Sequence, residues 1–166
     1  GGSDNHIDIT MRDNIIKRNS IPGDIAGISV LGGFASSGNH LEADLFNNKI
    51  SNNNGGGMTV GSGLDNSAHN DVEAAIRDNT IENNGGVGIL TYGGLGALIF
   101  PAGDSSSNSL EARIERNTVK NAALFGISVF GGVGSFDDAP IKVANNNEVT
   151  AVVTDNTVTG TVGEGL

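Results

Sequence analysis

RDNTIENN, residues 77–84, decides the fold, because its likeness returns along the chain. MRDNIIKRN stands at 11–19, LFNNKISNN at 45–53, IERNTVKNA at 114–122 and VTDNTVTGT at 153–161. The recurring asparagines are Asn14, Asn48, Asn79, Asn117 and Asn156, spaced 34, 31, 38 and 39 residues apart. Ahead of each lies an alternating apolar run: Ile7/Ile9/Met11, Leu41/Ala43/Leu45, Val72/Ala74/Ile76, Leu110/Ala112/Ile114 and Val149/Ala151/Val153. Period-two alternation over five residues marks a half-buried strand. Two residues beyond each asparagine comes one apolar residue (Ile16, Ile50, Ile81, Val119, Val158), which makes a second, shorter strand. A third follows at GISVLGGF 27–34, GMTVGSGL 57–64, GILTYGGL 88–95 and GISVFGGV 126–133.

Self-similarity at such a period is the mark of a solenoid. The uneven spacing has one source. Between the third strand of one repeat and the first of the next lie residues 35–40, 65–71, 96–109 and 134–148, loops of 6, 7, 14 and 15 residues. Insertions confined to one corner leave a stack of coils untouched. The pattern therefore predicts an all-β parallel β-helix of about five three-strand coils, with its long loops at one corner.

The asparagine has a structural role in this scheme. The first strand must turn into the second through a residue with positive φ, and asparagine enters that region more readily than other non-glycine residues. Stacked about 4.8 Å apart, the side-chain amides are expected to hydrogen-bond in a ladder. A second column, Asn19, Asn53, Asn84 and Asn121, is expected at the next corner. Stacking also places Arg116 between Asp78 and Asp155, and Lys120 over Glu82.

Composition bounds the function. Nine Lys+Arg against 19 Asp+Glu give a net charge of −10. So acidic a surface repels nucleic-acid phosphates and anionic membranes, and no apolar stretch reaches membrane-spanning length. Cysteine is absent, which excludes disulfides and thiolate metal sites. Gly1-Gly2-Ser3 reads as a linker or expression scar outside the fold, leaving 4–166 as one β-helix domain.

The three-strand coil, the asparagine turn and the Gly-Ile-Ser-Val strand together resemble the right-handed parallel β-helix of the pectin-lyase-like superfamily. The resemblance covers nearly all of residues 5–166. It implies a secreted or cell-surface protein associated with glycans, whose third sheet (27–31, 57–61, 88–92, 126–130) would floor a cleft for extended polysaccharide. Superfamily members include polysaccharide lyases, glycoside hydrolases, uronate epimerases, tailspikes and adhesins, and fold alone does not choose among them.

Enzymes of that kind need ionisable groups on the cleft floor. The outward residues of the third sheet are instead Ser29/Leu31, Thr59/Gly61, Leu90/Tyr92 and Ser128/Phe130. This departure argues against catalysis there. It leaves Leu31, Tyr92, Phe130 and the hydroxyl of Ser128 as candidates for stacking on a sugar, unless the apolar loop LGALIFPAGD (95–104) folds over the rings. The first strand carries an outward acidic column, Asp8, Glu42, Glu73 and Glu111, ending in Thr150. Like charges in adjacent strands repel unless offset. Ca²⁺ held by Glu42, Asp44, Glu73 and Glu111 would offset them; a solvated acidic face is the plainer alternative. His6 and His40 occupy equivalent positions and His69 lies one residue earlier in its coil, where imidazoles either cap backbone groups or bind a metal. Asp137-Asp138 reads as a turn.

The expected protein is thus a non-catalytic β-helix scaffold segment of a secreted or surface protein, associated with glycans. Its rivals are part of a lyase, hydrolase or epimerase with its catalytic coils elsewhere, and a plain shaft or adhesin spacer. No capping helix or charged closing strand flanks the repeats, so the chain reads as a segment of a longer solenoid or one that associates end to end.

Overall fold

The computed structural model describes residues 3–19, 26–97, 104–135 and 144–163, and every described element is a β-strand. Numbered along the chain, the first strands of the repeats are β1 (His6–Arg12), β4 (His40–Phe46), β8 (Asp71–Arg77), β12 (Ser109–Glu115) and β15 (Glu148–Thr154). They form one sheet in the order β1-β4-β8-β12-β15. The short second strands, β2 (Ile15–Lys17), β5 (Lys49–Ser51), β9 (Thr80–Glu82), β13 (Thr118–Lys120) and β16 (Thr157–Thr159), form another in the same order. The third sheet stacks β3 (Ala26–Leu31), β6 (Gly56–Leu64), β10 (Ile89–Ala97) and β14 (Ile127–Ser135). All these pairings are parallel and between successive repeats, so the chain is an all-β parallel solenoid.

Register follows the repeat residue for residue. Ile7 opposes Leu41, Leu41 opposes Val72, Val72 opposes Leu110 and Leu110 opposes Val149. The inward stripes meet in one core, in which Leu45, Ile50, Met58, Ile76, Ile89 and Ile114 are completely buried. Ile9, Met11, Ile16, Val149, Val153 and Val158 pack on it from the outermost strands, partly covered. Three of the third strands, β6, β10 and β14, run to nine residues, one more than the repeat pattern suggests. Beyond them β7 (Ser67–Ala68) and β11 (Ser105–Ser106) pair, and Phe34–Leu64 and Ser37–Ala68 form single bridges. The corner read as loop is therefore partly stacked. Residues 98–103 and the Asp137-Asp138 pair lie outside the described residues.

The ladder forms, with a refinement. Asn14, Asn48, Asn79 and Asn117 each donate both backbone N–H and side-chain Nδ2 to Oδ1 of the asparagine in the next repeat, at 2.8 to 3.1 Å. Nδ2 of Asn79 also donates back to the Leu45 carbonyl (2.8 Å), and Nδ2 of Asn117 to that of Ile76 (2.8 Å). Both amide hydrogens are thus used inside the core, where an unpaired one would be costly. The residue with positive φ is not this asparagine but the one before it: Asp13, Asn47, Asp78, Arg116 and Asp155, at 53° to 58°. The reason is division of labour. A left-handed residue turns its own side chain outward, so the ladder asparagine can keep ordinary backbone geometry and point in.

Two further ladders follow the same rule. The second column runs Asn19, Asn53 and Asn84, and then Ala122 rather than Asn121. Asn121 holds the positive-φ position (51°) and donates to Asn83, which stands at the same place one repeat earlier. The third ladder, Asn5, Asn39, Asn70, Asn108 and Asn147, precedes the first strands and has the same bonding. Glycine is required beside it. A Cβ on Gly33, Gly63 or Gly94 would lie 2.4 Å from the side chain of Asn70, Asn108 or Asn147 respectively.

Candidate functional site

Two outer faces carry the predicted residues. On the third sheet Tyr92 opposes Phe130 on one side and Gly61 on the other, and Gly61 in turn opposes Leu31. The Tyr92 ring occupies the space beside the glycine, where a Cβ would come within 2.2 Å of Cε2. Tyr92 is only 2% exposed and forms an apolar cluster outside the main core with Leu64 and Leu95, packed by Leu31 and Leu90. Phe130 is 38% exposed and Ser128 half-buried. The four residues therefore do not form one open strip, because the tyrosine that joins them faces protein. Burial, with the Asp65 charge, raises the Tyr92 phenol above its ordinary pKa.

The first sheet is different. Asp8, Glu42, Glu73 and Glu111 stand in one column, in register across four strands and continued by Thr150. They border a shallow concavity of about 330 Å³. Asp44 lies in the next outward column, where Arg77 donates to its Oδ2 at 2.8 Å while stacking 4.3 Å above the Phe46 ring. Asp44 is thus held by arginine through Oδ2, although it lines the same concavity as the three glutamates proposed beside it. Among the described residues, Lys and Arg ion pairs fall on Asp44, Asp78, Glu82 and Glu115, and none reaches the acidic column.

Histidine reaches it instead. The His6 and His40 rings stack with centroids 4.9 Å apart and planes 11° from parallel. His6 Nε2 lies 3.0 Å from Asp8; His40 lies 3.1 Å from Asp71 through Nδ1 and 3.4 Å from Glu42 through Nε2. Burial works to lower the His40 pKa, but hydrogen bonds and charges from Glu42 and Asp71 outweigh it, so the imidazole titrates above its ordinary value. His69 takes no part. It occupies the exposed positive-φ corner (55°) before Asn70.

Sequence reading singled out the column and the two equivalent histidines but passed over Asp71. The signal was available, since Asp71 opens its strand as His6 and His40 open theirs. Arg116 grips Asp78 with Nε and Nη2 at 2.8 and 2.9 Å, and Lys120 lies 3.4 Å from Glu82, both as stacking requires. The other described partner of Arg116 is Glu115 rather than Asp155. No helix among the described residues is long and apolar enough to cross a membrane. No family model matches this chain, and neither does any curated protein or solved structure.

Proposed function

We propose that this chain is a non-catalytic scaffold, a right-handed β-helix of the pectin-lyase-like kind from a secreted or cell-surface protein. One observation carries the reading. The outer positions of the third sheet, where such folds would place a saccharide cleft, hold no carboxylate, histidine or arginine, and the Tyr92 cluster covers their centre. Hydrolysis or elimination on a glycan needs an acid and a base within reach of the scissile bond, and among the described residues the outer positions of these strands offer neither, the nearby Asp65 being a single buried carboxylate just beyond β6. Its chemistry is that of packing. The three ladders serve the same end, fixing register at every corner so that the outer faces hold their shape.

The test is thermal unfolding followed by circular dichroism, alone and with a panel of acidic and neutral polysaccharides. A ligand selective for the native state raises the midpoint by mass action. The expected result is an unchanged midpoint with every glycan. A reproducible upward shift with one of them, abolished in Phe130→Ala, would replace the scaffold reading by glycan binding at the exposed end of this sheet.

A further inference from the structure

The geometry points to a binding site for a divalent first-row transition-metal ion on the outer face of the first sheet, built by His40, Asp71 and Glu73. Each offers one ligand atom, and the three atoms lie within 4.8 Å of one another. His6, Asp8 and Glu42 form a second such group one strand away, equally tight. Ligand atoms that share one zinc ion at about 2.1 Å in tetrahedral geometry stand about 3.4 Å apart. Small side-chain rotations therefore close the first group on an ion, with no change of backbone.

The donor set indicates the kind of ion. An imidazole with two carboxylates is a mixed nitrogen and oxygen set, which suits zinc, manganese, cobalt or nickel. Calcium prefers six to eight oxygens. Here the histidine stands among the carboxylates, and Asp44, the extra oxygen donor considered for calcium, is held by Arg77 at 2.8 Å. Two carboxylates also balance the charge of one divalent ion. Such an ion would relieve the like-charge contact of Glu42, Glu73 and Glu111, with which no described Lys or Arg forms an ion pair although Arg113 lines the same concavity.

The His40 group is the better built of the two. His40 and Asp71 are partly buried, whereas His6, Asp8 and Glu42 are all exposed. Ser109 donates its hydroxyl to Asp71 Oδ1, which leaves Oδ2 turned toward His40. A supporting contact of this kind orients a ligand before the ion arrives. The backbone beneath is fixed as well. Asn39 and Asn70 sit one residue before His40 and Asp71 and are bonded to each other twice, by N–H (3.1 Å) and by Nδ2 (2.8 Å).

The experiment is calorimetric titration of the untagged chain with Zn²⁺ in mildly alkaline buffer, which favours the deprotonated ligands that a metal needs. In parallel, NMR would follow the ring signals of the three histidines. The expected result is saturable binding with shifts at His40 and none at His69, undisturbed by excess Ca²⁺. Both His40→Ala and Glu73→Gln should weaken it roughly tenfold or more, while His69→Ala binds as the parent does. Circular dichroism of the variants separates loss of the site from loss of the fold. Absence of saturable binding would overturn the proposal. So would binding that folded His40→Ala and Glu73→Gln retain, or that Ca²⁺ displaces at equal concentration.

Discussion

Asn48 gives its backbone N–H and its side-chain amide to the same atom, Oδ1 of Asn79, at 2.9 and 3.1 Å. Both residues are about 1% exposed, so neither donor has water as a substitute. Asn79→Ala would strand those two donors and leave the Leu45 carbonyl without its partner. At about 1–3 kcal/mol for each buried group left unpaired, the loss should exceed about 3 kcal/mol by urea denaturation. Asn14→Ala, between the outermost strands and only half-buried, keeps the backbone N–H bond to Asn48 and removes only the side-chain one, so it should cost about 1 kcal/mol. Equal losses at the two positions would mean that stacking is not what the ladder contributes.

The same ladder shows how far the sequence can be read. Apolar alternation identified the first sheet with its correct register, because one buried face tolerates no slip of one residue. The third ladder was open to counting: Asn5, Asn39, Asn70, Asn108 and Asn147 each precede their partners in the first ladder by nine residues. Likewise the second corner lies five residues beyond the first, which selects Ala122 and not Asn121. Asn121 misled because residue type was weighed above spacing, and both corner positions accept asparagine for different reasons. Burial of Tyr92 was legible in part: the apolar run that opens at Leu95 offered cover, and Leu95 does pack on the ring, but the contributions of Leu31 and Leu64 from neighbouring repeats do not follow from alternation alone.

Tyr92 is the chain's one tyrosine, and tryptophan is absent, so its spectrum reports on a single site. Burial holds its pKa above the ordinary value. The folded state then binds a proton that the unfolded state releases near pH ~10. This contribution to stability is complete below that pH and is lost as pH rises from there through the folded pKa. Titration with base should therefore show tyrosinate absorbance appearing together with loss of the strand signal in circular dichroism. Tyrosinate that forms near the ordinary pKa while the strands persist would place the ring at the surface.

Gly61 and Tyr92 make a matched pair, since the ring occupies the space a side chain would need. Gly61→Ala should force the ring away from β6 and disturb its packing with Leu64 and Leu95. Overpacking of this kind costs about 1–3 kcal/mol. Acrylamide should quench the tyrosine fluorescence weakly in the parent chain and more strongly in the variant. A variant as stable and as well shielded as the parent would show that the ring does not rest on the glycine.

Arg116 combines two roles that substitution can separate. Its guanidinium pairs with Asp78, and its hydrogen bond holds that carboxyl below its ordinary pKa. Its backbone stands at φ 53° in the turn before Asn117. The ion pair is exposed, and such pairs contribute little. Left-handed geometry, in contrast, strongly disfavours β-branched residues. Arg116→Asn should therefore keep the denaturation midpoint nearly unchanged while Asp78 returns to ordinary carboxylate titration by NMR. Arg116→Val loses the same ion pair and should lower the midpoint clearly. In the parent, the small gain from Asp78 is present above the ordinary carboxylate pKa and fades as pH falls through the lowered one. If asparagine and valine destabilise alike, the ion pair rather than the turn is what position 116 supplies, and the corner rule inferred from the three ladders fails there.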